Sequence, residues 1–180
     1  MKNFKLITLI FIIVLGTFTT SCDNDDDAAA AVPVAIVNEF TYEGTSYNLS
    51  QGILEDYGDN GNGSYDFDIS LFSDDFTIDL VNDEITGRGE AVYLDLNSDN
   101  MADLSDGTYV FDINRDAFVI SVAGIFLDYD IQAQNGTAVQ ASSGEVILTK
   151  SGDEYTISFD LSTATGDAII GQYKGTLSRA

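Results

Sequence analysis

Apolar and polar residues alternate with a period of two along most of the chain beyond residue 38. The clearest example is segment 65–71, where aromatic and aliphatic residues hold the odd positions and aspartate or serine the even ones. This alternation is typical of strands that turn one face to a core and the other to water. No apolar pattern with helical spacing persists after residue 21. The pattern therefore predicts an all-β body.

About ten short strands are predicted, with turn signals between them. They are a hairpin over 40–49 that turns at Glu43-Gly44, and strands at 51–57, 65–71, 76–80, 92–96, 109–113, 118–122, 125–131, 145–149, 155–161 and 168–177. Segment 76–80 is expected to be the next arm of a meander after 65–71. Glycines are expected to interrupt the strands at Gly87 to Gly89, at Gly124 and at Gly136.

Residues 38–180 have the length of one domain with a single core. The 11 Phe and nine Tyr of the chain supply large apolar side chains for it. We predict a single antiparallel β-sandwich. A closed, lipocalin-like β-barrel is the alternative, because alternation is the same in both folds and only a large internal cavity would separate them.

The amino terminus carries Lys2 and Lys5 followed by a mostly apolar run from Leu6 to Phe18. This run is shorter than the ~20 residues that a helix needs to cross a bilayer. A basic segment followed by a short apolar one is typical of a secretory signal peptide. Residues 1–21 are therefore predicted to be a leader.

Small residues precede Cys22, the only cysteine of the chain. This junction resembles a bacterial lipoprotein signal, although Thr19 stands where the common motif has Leu. The resemblance implies that Cys22 is lipidated and becomes the first residue, anchoring the protein to a membrane. A single cysteine has no intramolecular disulfide partner, which favours this reading over a free thiol. Residues 22–37 would then be a disordered tether of acidic residues and alanine.

An acidic cluster follows the cysteine at once and consists of Asp23, Asp25, Asp26 and Asp27. It resembles the export signal of surface lipoproteins in Bacteroidetes, and the resemblance implies exposure on the outer membrane. The alternative is that like charges simply keep the tether soluble and extended.

The charge balance excludes several kinds of function. Without the leader the chain keeps five of its seven basic residues against 30 acidic ones, a net charge near −25. Nucleic acid binding is excluded because it needs a basic surface. The chain has no histidine, so Ser-His-Asp and Cys-His catalysis and common zinc sites lack their residues. We expect no enzyme, with a carboxylate-dependent glycosidase as the remote alternative.

One loop carries oxygen ligands at alternate positions, namely Asp95, Asn97, Asp99, the Met101 carbonyl and Asp103. Hard cations such as Ca²⁺ prefer six to eight oxygen ligands. The spacing resembles the calcium loops of integrin-type propellers, with Asn100 where Gly is usual. Calcium is the one candidate cofactor, and the alternative is a solvated loop without metal.

The carboxy-terminal segments 152–161 and 171–177 read GDxYTIxFxL and GxYxGTL. They resemble the final hairpin of small lipoproteins of Bacteroidetes, which implies a secreted β domain without catalytic residues. The sequence thus predicts a lipid-anchored protein of the cell envelope that acts as a binding or structural module. A barrel that carries a small molecule and a calcium-stabilised, adhesin-like domain are the alternatives, and the ligand or partner is not predicted.

Overall fold

Twelve β-strands make up residues 37–180, the part of the chain that the computed structural model describes. They are β1 (Glu39–Tyr42), β2 (Thr45–Asn48), β3 (Gln51–Asp59), β4 (Tyr65–Phe72), β5 (Phe76–Asp79), β6 (Glu84–Ser98), β7 (Gly107–Phe111), β8 (Val119–Asp130), β9 (Asn135–Ser151), β10 (Glu154–Thr163), β11 (Ala168–Thr176) and β12 (Ser178–Arg179). The predicted all-β class is confirmed. Within this range the protein has no helix of the length and apolar character that spanning a membrane requires.

The strands form one large mixed sheet in the order β12-β3-β4-β6-β8-β7-β9-β10-β11-β1-β2, and β5 pairs only with β6. Most neighbours are antiparallel, but β7 with β8 and β12 with β3 are parallel, so the predicted purely antiparallel pairing is wrong at these two places. The path ends at β12 and β2, and these ends are not paired with each other. The sheet is therefore not closed, and the barrel alternative is wrong.

The core explains why this open sheet folds over on itself in a sandwich-like manner. Apolar side chains of β3, β4 and β6 share one buried cluster with those of β9, β10 and β11. The cluster includes Phe67, Ile69 and Leu71, the odd positions of the predicted strand. Each such side chain contributes roughly 1.5–3 kcal/mol through removal from water. The same cluster contains the apolar positions of the GDxYTIxFxL segment, from Tyr155 to Leu161.

Several strands are longer than the sequence predicts, because glycines lie inside them. β6 runs through Gly87 and Gly89, and β8 runs through Gly124. Gly87 has φ of 119°, and a Cβ atom there would collide with the carbonyl oxygen of Asp75. A Cβ at Gly124 would lie 2.6 Å from the carbonyl oxygen of Val139. These glycines permit close backbone approach and do not end the strands.

Two further expectations are corrected by the pairing. Segment 76–79 does not follow 65–72 in a meander, because β5 pairs with the first part of β6 while β4 pairs with its second part. Gly136 lies within β9 and not in a loop.

The turn at Glu43-Gly44 is confirmed, with φ of 49° and 77° at the two positions. The predicted leader 1–21, Cys22 and the acidic cluster lie outside the described residues.

Candidate functional site

Three carboxylates from two neighbouring strands meet on the face of the sheet that points away from the main core. Asp68 of β4 stands directly opposite Asp95 of β6, and Asp66 lies two residues before Asp68 on the same face. Each of the three offers one oxygen, and these oxygens lie within 4.8 Å of one another. Like charges opposite each other on paired strands are destabilising, so other groups must offset the repulsion.

The cluster is largely buried although the alternation predicts a solvated face. Asp68 is only 8% exposed and Asp95 only 5% exposed. The side chain of Asp66 is 13% exposed. Burial of ionised carboxylates costs free energy unless each finds a partner, so the surroundings of these groups decide their chemistry.

Arg115 is the cationic partner of the cluster. Its Nη1 donates to Asp66 Oδ2 over 2.7 Å, and its Nη2 donates to Asp95 Oδ2 over 3.1 Å. The residue lies in the loop between β7 and β8, and its φ is 49°. Its carbonyl oxygen accepts hydrogen bonds from Asn62 Nδ2 and Ser64 Oγ, at 3.2 and 2.5 Å. The loop before β4 therefore holds the arginine at the carboxylates.

Tyr93 is the second partner. Its hydroxyl donates to Asp68 Oδ2 over 2.5 Å. Burial raises the pKa of Asp68 to about 6, and this hydrogen bond opposes the rise. Burial also raises the pKa of Asp95, with further contributions from the negative charges of Asp66 and Asp68. Burial is thus the main cause of both shifts, and repulsion between the neighbouring carboxylates adds to it.

Two oxygens of the cluster have no partner. Asp66 Oδ1 and Asp95 Oδ1 are buried, and neither accepts a hydrogen bond from any of the described residues. An unsatisfied buried polar atom costs about 1–3 kcal/mol, and more when it is charged. Such atoms are rare in native proteins, and a proton, a water molecule or an ion can satisfy them.

The structure separates the residues of the calcium loop predicted from the sequence. Asp95 belongs to the cluster with Asp66 and Asp68. Asn97 is fully buried, and its Nδ2 donates to Ser121 Oγ over 2.8 Å. Met101 is 68% exposed.

The other two acidic residues of that loop have partners of their own. Asp99 Oδ1 accepts a hydrogen bond from Ser105 Oγ at 2.5 Å. Asp103 forms ion pairs with Lys150 and Arg179 and accepts a hydrogen bond from Tyr155 at 2.5 Å. Among residues 37–180, the group whose spacing suits a metal is thus Asp66, Asp68 and Asp95, and four of the five predicted ligands lie outside it.

The sequence does not bring Asp66 and Asp68 together with Asp95, because the alternation of segment 65–71 predicts a solvated face for both. The information that was lacking is the strand order, since Asp68 meets Asp95 only when β4 pairs with β6. One signal was available in the sequence. Both strands carry aspartate within a continuous apolar alternation, where Ser or Thr would serve a solvated face equally well.

A shallow groove crosses the outer face of β1, β9, β10 and β11. It is lined by Glu39, Thr41, Glu145, Ile147, Ser158, Asp160, Ile170 and Gln172. Ile147 and Ile170 are exposed apolar residues between acidic neighbours. The buried oxygens without partners lie in the carboxylate cluster and not in this groove, so the cluster is the stronger candidate site.

Comparisons with known proteins give no match. The chain has no significant match to a family model, to a curated protein or to a solved structure. The resemblance of its carboxy-terminal hairpin and of its leader to lipoproteins of Bacteroidetes therefore stays a prediction.

Proposed function

We propose that this chain is a lipid-anchored lipoprotein of the cell envelope whose β-rich body acts as a binding or structural module. The observation that carries the proposal is the position of Cys22. The only cysteine of the chain directly follows the predicted leader 1–21. It lies 17 positions before Glu39, where β1 begins. A lipidated cysteine at this place would leave the body outside the cytoplasm on a short tether.

The body suits a module that acts without catalysis. Its net charge is strongly negative, which favours solubility and attraction of cations. Asp68 and Asp95, whose pKa values are raised by burial, are largely buried and paired with Tyr93 and Arg115. A glycosidase needs its two carboxylates on either side of a substrate. Burial of this cluster favours a role in stability or ion binding over turnover of a sugar.

The anchor is tested by expressing the full chain in a bacterium that processes lipoproteins. We expect the wild-type protein in the membrane fraction, with a mature amino terminus at Cys22 that carries acyl groups in mass spectrometry. Replacement Cys22→Ala should release the protein from the membrane, because each buried CH₂ of an acyl chain contributes ~0.8 kcal/mol to anchoring. Ser21→Ala is the matched control, since it keeps a small residue before the cysteine. An intact leader, or a mature terminus without lipid, would refute the proposal.

Exposure on the cell surface is tested separately by proteolysis of intact cells. The wild-type protein should be cleaved by added protease. A variant with Asp23, Asp25, Asp26 and Asp27 changed to alanine should stay anchored but become protected. The control replaces two exposed acidic residues of the body, Asp153→Ala and Asp160→Ala, and should be cleaved like the wild type. Equal cleavage of the wild type, the cluster variant and the control would contradict an export role of the acidic cluster. It would not affect the proposal of a lipid anchor.

A further inference from the structure

We infer that Asp66, Asp68 and Asp95 form a binding site for one divalent cation, with Ca²⁺ as the best fit. This site differs from the loop 95–103 that the sequence indicates, and it shares only Asp95 with it. The inference concerns the body alone and does not depend on the lipid anchor.

The charge of the cluster supports a divalent ion. Asp66, Asp68 and Asp95 carry three negative charges when ionised, and Arg115 supplies one positive charge through its contacts to Asp66 and Asp95. Two negative charges therefore remain in a largely buried space. A divalent cation neutralises both, whereas a monovalent cation leaves one.

The unpartnered oxygens indicate where the ion would lie. The side chain of Asp95 is 7% exposed, and its Oδ1 is buried without a hydrogen-bond partner within residues 37–180. Asp66 Oδ1 is in the same condition. In both residues the other oxygen, Oδ2, is held by Arg115. The guanidinium thus fixes the two carboxylates and leaves one oxygen of each free for a further ligand.

The ligand type favours Ca²⁺. One oxygen of each aspartate lies within 4.8 Å of one oxygen of each of the other two, so the three are close enough to share one ion. Ca²⁺ accepts irregular shells of oxygen ligands at about 2.3–2.6 Å. Mg²⁺ demands near-ideal octahedral geometry and gives up its water reluctantly. Three carboxylates together with water supply the oxygen-only shell that Ca²⁺ accepts.

The alternative occupant of this space is a proton shared between Asp66 and Asp95. A shared proton satisfies the same two oxygens but requires no metal and gives no response to calcium. The two occupants therefore predict different outcomes in a titration with metal ion.

The experiment follows thermal unfolding of the purified full chain after treatment with a chelator. Addition of CaCl₂ should raise Tm by roughly 5 °C at saturation, and isothermal titration should give one ion per chain. MgCl₂ should bind at least about tenfold more weakly, since its geometry is stricter. Asp66→Asn and Asp95→Asn should each weaken calcium binding by at least about tenfold, because each removes a charged ligand.

Asp99→Asn is the matched control. It makes the same chemical change in the loop that the sequence indicates and should leave the calcium response unchanged. Circular dichroism checks that every variant is folded. If Asp66→Asn or Asp95→Asn does not fold, Asp68→Asn replaces it, with the same expected loss.

Three results would overturn the inference. The first is an unchanged Tm of the wild type at millimolar Ca²⁺, which would favour the shared proton. The second is a full calcium response in the folded Asp66→Asn and Asp95→Asn variants. The third is loss of the response in Asp99→Asn alone, which would place the ion in the loop 95–103. None of these results would affect the test of the anchor at Cys22.

Discussion

Arg115 is the residue on which the carboxylate cluster depends most. It lies 20 positions after Asp95 in the chain, yet its guanidinium bridges Asp95 of β6 and Asp66 of β4. Removal of one partner from such a group leaves the remaining charges uncompensated and costs more than the pair itself contributes. The cluster therefore makes the stability of the body sensitive to a single loop residue.

Arg115→Met tests this dependence in metal-free protein at pH 7. We expect a loss of about 1–2 kcal/mol in the free energy of unfolding. This is less than the ~3–5 kcal/mol typical of fully buried pairs, because the arginine side chain is 46% exposed and partly screened by solvent. Urea unfolding measures the change. Arg88→Met is the matched control, since Arg88 and Asp128 form an exposed pair and little change is expected. Equal losses in both variants would contradict the role of Arg115.

The ionisation of Asp103 makes the stability of the fold depend on pH in the acidic range. Burial acts to raise the pKa of Asp103, but hydrogen bonds from Lys150 and Tyr155 outweigh it and hold the pKa below its usual range. A carboxyl group with a lowered pKa in the folded state stabilises the fold above the pKa of the unfolded chain, about 3.9 for Asp. That stabilisation is lost as the pH falls through the folded value.

Asp103→Asn should therefore lower Tm at neutral pH, and the difference from the wild type should shrink as the pH falls below about 4. Thermal unfolding from pH 7 to pH 3 measures the difference. Asp153→Asn, at an exposed turn residue, should follow the wild type over the whole range. A difference for Asp103→Asn that stays constant down to pH 3 would contradict the assignment.

At the scale of the strands, alternation identifies most of the fold but not the ends of the strands. The segments 65–71 and 155–161 lie within β4 and β10, and their apolar positions form the core as predicted. Gly124 and Gly136 were read as interruptions because a glycine inside a strand has the same sequence signature as a glycine in a turn. Only contact with a neighbouring strand, such as that between Gly124 and Val139, separates the two cases.

The site was harder to predict than the strands. Its members come from β4, β6 and the loop before β8, so it exists only once the order of strands is known. The sequence singles out Asp95 because it starts a loop rich in oxygen ligands, and it predicts Asn97, Asp99, Met101 and Asp103 as its companions, whereas the structure places Asp95 beside Asp66 and Asp68. The spacing of residues along the sequence reveals only side chains that are close in the chain. The pairing of β4 with β6 brings together side chains that are far apart in the chain.

The close approach of β10 and β1 to β11 is tested by a substitution at Gly171. A Cβ atom at this position would lie 2.7 Å from Phe159 Cε2 and 2.7 Å from Phe40 Cβ. Gly171→Ala should therefore destabilise the body by about 1–3 kcal/mol through overpacking, as measured by urea unfolding.

The control for Gly171→Ala is a double-mutant cycle with Phe159→Leu. The smaller side chain makes room for the added methyl group, so the double variant should lose less stability than the sum of the two single variants. Strict additivity would mean that Phe159 is not the obstacle.

At the scale of the whole molecule, residues 177–179 carry the chain from β11, near one end of the sheet path, to β12 at the other end. β11 lies beside β10 and β1, and its continuation β12 pairs with β3. Leu177 between them is buried. Residues 178–180 contribute the pairing of two residues with β3 and one hydrogen bond from Ala180 N to Leu54 O. The Arg179 side chain adds an ion pair with Asp103 and a hydrogen bond to the Ala102 carbonyl oxygen.

Deletion of residues 178–180 should lower the free energy of unfolding by about 1–3 kcal/mol, since each hydrogen bond contributes about 0.5–1.5 kcal/mol. Hydrogen exchange should accelerate in β3, which loses β12 but keeps β4 as a neighbour, more than in β10. Arg179→Ala removes the ion pair with Asp103 and the hydrogen bond to the Ala102 carbonyl oxygen but keeps the backbone pairing of β12, so it should leave exchange in β3 unchanged. Uniform acceleration across all strands would show that β12 acts on global stability and not on this edge.

The pairing of β1 with β11 has a consequence for the order in which the protein acquires its structure. Thr41 donates a hydrogen bond to the carbonyl oxygen of Ile170, 129 positions away. Contacts between such distant segments form slowly, because the long loop between them must first be closed. β1 therefore has no neighbour on this side until residues 168–176 have been synthesised. An early strand that waits for a late one leaves this part of the sheet open for most of the time in which the body is synthesised.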